Sequence, residues 1–331
     1  MDLYPTDDQL AIITSANEYL SRELPADRMP MQAGTAPPPG QWRGLAEMGW
    51  FGLGLPEEIG GLGLSVVEEA LVLREFGRHL APPSTLATVL AAHLAASAGK
   101  TDLVEALVAG NRRAGFALPN ASGAGYHLLD SDGADLFVLW SADSGRLADR
   151  DAFTGVTAVR ALDDSIQACA ASGLDGARII AHDGTPAFQH RARLLTAAML
   201  TGGAEGVRDL SAEYAKVRVQ FGHPIAVFQA ISHKCAEMAV DCEASVAILQ
   251  YAAICVRDAS AEAELYSASA KVVAGHAARN AAAASMQIHG GYGQTYEFLP
   301  HFFLKRAHIY QSLGGGPKVA GEPVLAASST L

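Results

Sequence analysis

The stretch Arg218-Val-Gln-Phe-Gly-His-Pro-Ile-Ala-Val-Phe-Gln229 constrains the fold of this chain most, because it sets a glycine–proline turn between long helical patterns. Apolar residues recur at a helical period over about 193–219, 227–257 and 260–289, in Ala-rich segments with few breakers. A helix ending near Gln220 leaves carbonyls that Phe221-Gly222-His223-Pro224 must resolve, glycine by taking a positive φ and proline by preventing continuation. The expectation is a helical hairpin. Arg218 falls in the last turn of its first helix, where the dipole favours a cation, and Gln229 in the first turn of the next. Ala-rich helices approach closely, which suits antiparallel bundle packing.

Upstream, the chain divides by texture. Thr6 and Asp7 are candidate caps for a helix over 6–24, followed by a breaker-rich loop from Met29-Pro30 to Pro39-Gly40. Helical periods return over 41–48, 65–80, 85–97 and 101–109, with a glycine-rich connection at 49–63. From about Gly115, short apolar runs bounded by Gly, Asp and Ser predict strands at Leu136–Trp140, Gly155–Val159 and Ala177–Ile180. The reading is a mainly α protein with a small β domain: N-terminal helices over 1–114, a short β domain over 115–190, and a helical bundle over 191–331.

Half of the 331 residues are apolar, enough for a sizeable core. A formal net charge of −11 argues against a bulk grip on nucleic acid, although a local basic pocket for phosphate would survive it. The acidic start, Met1-Asp2-Leu3-Tyr4, is unlike a secretory signal, and no run of about 18 uncharged apolar residues occurs, so a cytoplasmic location away from membranes is expected. Cys169, Cys235, Cys242 and Cys255 show neither zinc nor disulfide spacing and are expected to be buried thiols; no metal site is expected.

Taken alone, Arg218 is a helix-terminal cation on a solvated face. A second element changes its weight. Met286-Gln287-Ile288-His289-Gly290-Gly291-Tyr292-Gly293 follows a long helical pattern with a turn whose free N–H groups could approach an anionic or polar ligand. Together the two elements resemble the acyl-CoA dehydrogenase family. Its R-x-x-F-G-x-P-I-x-x-F-Q hairpin is matched by Arg218, Phe221, Gly222, Pro224, Ile225, Phe228 and Gln229. Its Q-x-x-G-G-x-G element is matched by Gln287, Gly290, Gly291 and Gly293, continuing through Glu297 and Leu304-Lys305-Arg306-Ala307. Met48-Gly49-Trp50, Pro56-Glu57-Glu58-Ile59-Gly60-Gly61 and Glu75-Phe76-Gly77-Arg78 extend the likeness over nearly the whole chain.

The resemblance implies N-terminal helices, a middle β domain, a C-terminal four-helix bundle, FAD and an acyl-CoA substrate. It also implies that Arg218 pairs with the pyrophosphate of a flavin held mainly by a neighbouring subunit. Phe221, Gln229 and the segment Gln287, Ile288, His289, Gly290 and Gly291 would meet the same cofactor. A lone histidine such as His289 is also an ordinary structural residue, and Glu297 resembles one that caps the following helix.

The chain departs from the family where the chemistry lies. The family reaction takes an α-proton with a carboxylate while the β-hydride passes to the flavin. Gly314 stands where that Glu belongs, and Ala192 stands at the alternative position before Arg193-Leu194. The flavin-binding loop is replaced by Ala117-Leu118-Pro119-Asn120-Ala121-Ser122-Gly123-Ala124-Gly125. What acts on a neighbour is kept, and what acts within the subunit is missing. The chain therefore resembles the short second subunit of actinobacterial α2β2 acyl-CoA dehydrogenases, including those acting on steroid side chains, with a longer partner supplying the base. Two other readings stay open. One is a self-sufficient homo-oligomeric flavoenzyme using another base, for which Glu205, Glu213 and Glu237 are candidates. The other is a non-catalytic scaffold.

Overall fold

Capping chemistry starts the N-terminal helices close to where the pattern places them. In the computed structural model, which describes residues 3–29, 38–120 and 123–328, Thr6 heads α1 (Asp7–Glu23) in a capping box with Gln9. Ser65 heads α3 (Val66–Arg78) in a second box with Glu68. Between them, α2 (Pro39–Glu47) begins on a proline whose fixed φ suits a first helical turn. Residues 30–37 of the breaker-rich loop lie outside the described residues.

Two more helices, α4 (Pro83–Ser97) and α5 (Thr101–Val108), complete this unit. α4 is apolar on all sides and buried along almost its whole length, as a helix enclosed by other elements must be. It packs against the sheet and against the first bundle helix, α6 (Pro186–Val217).

Among the described residues, nine strands follow: β1 (Ala114–Pro119), β2 (Tyr126–Leu129), β3 (Leu136–Trp140), β4 (Gly145–Asp149), β5 (Phe153–Thr154), β6 (Thr157–Val159), β7 (Ala168–Ala171), β8 (Gly173–Leu174) and β9 (Ile179–Asp183). Seven form one sheet in the order β6-β7-β2-β1-β3-β4-β9, and β5 pairs with β8 apart from it. β3 is buried on both faces. Leu136, Val138 and Trp140 join the main core beside α4, while Phe137 and Leu139 enter a small second cluster with Phe153.

Two expected strands are displaced. Gly155 takes a positive φ in a turn, so that strand begins only at Thr157. Asp175 caps a 3-10 turn over 176–178, which pushes the next start to Ile179.

The bundle is built from α6, α7 (Gln229–Arg257), α8 (Ala263–His289) and α9 (Pro300–Ser312), with α8 packed on the other three, and α10 (Gly316–Ser328) lies along α8. α6 starts at Pro186, earlier than the apolar period suggests, because Thr185 accepts from Phe188 N and proline occupies the first turn. Crossing α3, α6 brings Gly202 against the Arg74 carbonyl and sets Met199 O over Gly77. Beside this contact, Arg74 grips both oxygens of Glu205 at 2.6 Å, and Arg78 reaches Asp209 at 2.7 Å.

Candidate functional site: a cleft at one bundle end and closed base positions elsewhere

The turn after α6 is tighter than a plain helix–helix connection. Val219–Gln220 pairs antiparallel with His223–Pro224, leaving Phe221 and Gly222 as a two-residue loop in which both have positive φ. Glycine tolerates this readily. Phenylalanine does not, and its side chain is held 91% exposed at the tip. Arg218 caps α6 with its N–H on Tyr214 O, and its own carbonyl accepts from Ile225 N at 2.8 Å, which closes the hairpin.

Across from the hairpin, α8 ends at His289 and a 3-10 turn covers Gly290–Gln294. The two elements enclose a cleft of about 520 Å³, lined by Arg218 and Phe221 on one side and by Ile288, His289, Gly290 and Gly291 on the other. Tyr214, Tyr292, Thr295 and Phe228 also line it. Sequence reasoning did not single out Tyr214. Its signal was its spacing, four residues before Arg218 and therefore on the same helix face.

The arginine is held by geometry alone. Its guanidinium lies 5.4 Å from the centroid of the Tyr292 ring, and among the described residues no carboxylate pairs with it. Gly290 and Gly291 are exposed, and a Cβ built on either meets nothing within 4 Å, so their backbone is open to an approaching group.

His289 has a structural post. Its Nδ1–H donates to Ser285 O at 2.8 Å, and its ring stacks on Tyr214 at 4.0 Å. Burial holds its basicity below the usual histidine range, against the Ser285 bond, which raises it. Its ring forms part of the cleft floor. Gln287 lies on the far side of the glycines in an adjoining depression with Gln294 and Leu304, and Gln229 is exposed at the start of α7, outside the residues lining the cleft. Glu297 is exposed between the glycine turn and α9, and it engages Thr295 rather than capping that helix.

The positions expected to carry a base are sealed. Ala192 is fully buried on α6. Gly314 adopts φ +65°, and a Cβ there would stand 2.5 Å from Trp140 Cε2. Trp140 is fixed in turn by its Nε1–H bond to Gln189 Oε1 at 2.8 Å. The buried Lys271 ammonium lies 4.5 Å from the Trp140 ring centroid and donates to the Leu313 carbonyl. Burial, and then the charge of Arg193, push this lysine down to about 7.

The candidate replacement bases are occupied or remote. Glu205 is locked to Arg74 and lies about 18 Å along α6 from Arg193. Glu213 pairs with Lys216, and Glu237 is exposed on α7. Gly314→Glu is therefore expected to give the isolated chain no acyl-CoA oxidation and to lower stability by about 2 kcal/mol, as overpacking against an immobile ring does. Urea unfolding and a dye-reduction assay check both parts.

The loop in place of the family's flavin-binding loop is a β-hairpin connection. Asn120 N donates to Gly125 O at 2.8 Å between paired β1 and β2, and residues 121–122 lie outside the described residues.

Helices, β sheet and bundle, with an arginine-lined aromatic cleft at one bundle end, define an α-rich protein with a central β sheet. The chain belongs to the acyl-CoA dehydrogenase family, whose cofactor is FAD: residues 6–108 match the acyl-CoA dehydrogenase N-terminal domain, and 187–326 the C-terminal domain. It is similar to acyl-CoA dehydrogenase IpdE2 of Mycobacterium tuberculosis, 34% identical over 281 residues that cover 84% of this chain and 83% of that protein. With acyl-CoA dehydrogenase FadE34 of the same organism it shares 31% identity over 300 residues, covering 83% of this chain and 40% of FadE34. In fold it is similar to a chain of the ChsE4-ChsE5 complex from M. tuberculosis, with a TM-score of 0.83, 23% identity and full coverage of both chains.

The residues present fit FAD on one side only. The cleft provides a cation with no carboxylate partner among the described residues, aromatic faces and open glycine backbone, which suit a pyrophosphate and a flat ring system. At the two base positions, a side chain at 314 would meet Trp140, and Ala192 is fully buried.

Proposed function

We propose that this chain is a subunit of an FAD-dependent acyl-CoA dehydrogenase that introduces an α,β double bond into an acyl-CoA thioester, and that it completes a flavin site held mainly by a longer partner. One observation carries the reading: the cleft is open and charged, while position 314 is closed by Trp140 and Ala192 is fully buried. Bound FAD supplies the acceptor for the substrate's β-hydrogen. The base that takes the α-proton comes from the partner.

Within this division, the chain's own residues bind and shield. Arg218 offers a permanently charged fork to the pyrophosphate, and Gly290 and Gly291 let backbone N–H groups approach. The Tyr214–His289 stack and Tyr292 keep water from that contact. Two further features support an assembly. Phe221 and Val240 of α7 stand in solvent at 91% and 68% exposure, as residues covered by another chain would. FadE34 extends well beyond its match to this chain, with room for a second unit of similar size.

The test is co-expression with a longer acyl-CoA dehydrogenase-like chain, followed by mass and flavin absorbance. Alone, this chain is expected to carry little flavin; the complex is expected to be yellow and active. Arg218→Ala in the complex is expected to weaken flavin retention about 100-fold, the cost of losing one charge-assisted pair of ~3 kcal/mol. A lone chain that is stoichiometrically yellow and oxidises acyl-CoA would falsify the proposal.

A further inference from the structure

The glycine-rich wall of the cleft is tied to this chain's own β domain through one carboxylate. Asp164, in the loop between β6 and β7, accepts from Tyr296 Oη at 2.8 Å, from Lys305 Nζ at 2.7 Å and from Arg160 Nε at 3.0 Å. Tyr296 directly follows Thr295, which lines the cleft. Lys305 lies on α9, and its ammonium also sits 5.6 Å from the Tyr296 ring centroid, so the three groups form a closed triangle.

The neighbouring carboxylate holds the same loop from beneath. Asp163 is fully buried and bonds Arg306 of α9 at 2.8 Å, so two consecutive loop carboxylates receive two consecutive α9 cations. Burial works to raise the Asp164 carboxyl, but the Lys305, Arg160 and Tyr296 donors outweigh it and hold the group far below the ordinary carboxylate range.

Between α8 and α9 the segment is otherwise stitched by local bonds, from Thr295 N to Tyr292 O and from Phe298 N to Thr295 O. A segment with three glycines loses much conformational freedom on ordering, so a distant anchor has a large effect on where it settles.

We infer that Asp164 is a positioning residue: through Tyr296 and Lys305, the β domain sets the angle at which Gly290–Thr295 meets the partner's flavin. This rests on the reading of the cleft given under Proposed function. It gives the β domain between the helical units a part in the site offered to the neighbour. Its task there is to hold the wall of that site.

The experiment uses the assembled complex and three substitutions in this chain. Tyr296→Phe removes only the hydroxyl, Asp164→Asn keeps the shape but loses the charge, and Arg160→Ala removes a partner that is mostly solvent-exposed. Tyr296→Phe and Asp164→Asn are expected to speed amide exchange over 290–296 and to weaken flavin binding, each about tenfold, as loss of one charge-assisted bond predicts. The melting temperature of Tyr296→Phe is expected to stay at the wild-type value, which separates positioning from general stability. Arg160→Ala removes an exposed, solvent-screened donor and is expected to shift both readouts in the same direction by less than Tyr296→Phe.

Arg218→Ala, run alongside, distinguishes the two readings. Flavin lost in Arg218→Ala but held at wild-type affinity in both Asp164→Asn and Tyr296→Phe overturns the positioning role alone. Flavin retained in Arg218→Ala overturns the reading of the cleft and the positioning role with it.

Discussion

Replacing Arg306 by leucine is expected to remove about 3–5 kcal/mol of stability, the usual consequence of leaving a buried charge without its partner. Arg306 joins all three parts of the chain. Its Nε bonds Asp163 at 2.8 Å, one terminal nitrogen reaches the Leu80 and Ala81 carbonyls, and the other donates to Ser165 Oγ at 2.9 Å. Burial alone would make its charged form less favourable, and Asp163 more than offsets this.

Leucine leaves Asp163 fully buried with only Ser165 as a donor among the described residues, and it takes one donor from the Leu80 carbonyl, which keeps Arg28, and one from the Ala81 carbonyl, which keeps Tyr310 Oη. Against a total stability of about 5–15 kcal/mol for a typical domain, such a loss is large. Urea unfolding measures it. The double variant Arg306→Leu with Asp163→Leu is expected to recover part of the loss because the orphaned charge goes too; a double variant as unstable as the sum of the singles would show that the pair is not coupled.

Gly202→Ala is expected to cost about 3 kcal/mol, at the upper end of overpacking effects, and to loosen the N-terminal helices from the bundle. The added methyl would lie inside the contact distance of the Arg74 carbonyl oxygen and 2.9 Å from Arg78 N. Both atoms are α3 backbone, which cannot rotate aside as a side chain can. α3 must withdraw as a unit, and the Arg74–Glu205 and Arg78–Asp209 pairs stretch with it.

The adjacent Gly203 is the internal control. Its nearest neighbour would be 3.9 Å from a new Cβ, so Gly203→Ala is expected to be neutral or to stabilise α6 by up to about 1 kcal/mol through helix propensity. Thermal unfolding of the two variants separates close helix contact from a general intolerance of alanine in α6. Equal melting temperatures would contradict the crossing described.

By itself, the sequence determined the helical, β, helical order, the first three bundle helices to within a few residues except at the start of α6, the hairpin after Arg218 and the glycine turn after His289, but not α9 or α10. It also determined that no carboxylate stands at 314 or 192. These features are local: periodicity, caps and turn residues act over a few positions, so a window of sequence contains their cause.

Only the tertiary structure decided that the hairpin and the glycine turn share one cleft, that Gln229 and Gln287 stand outside it, and that His289 is spent on Ser285 and Tyr214. It alone showed Trp140 sealing the wall at Gly314, Gly202 pressed on α3, and Asp164 holding Tyr296. Those contacts join residues far apart in the chain, 131 positions for Arg74 and Glu205 and 132 for Tyr296 and Asp164. Their cause is the packing of one finished element on another, which no local pattern records.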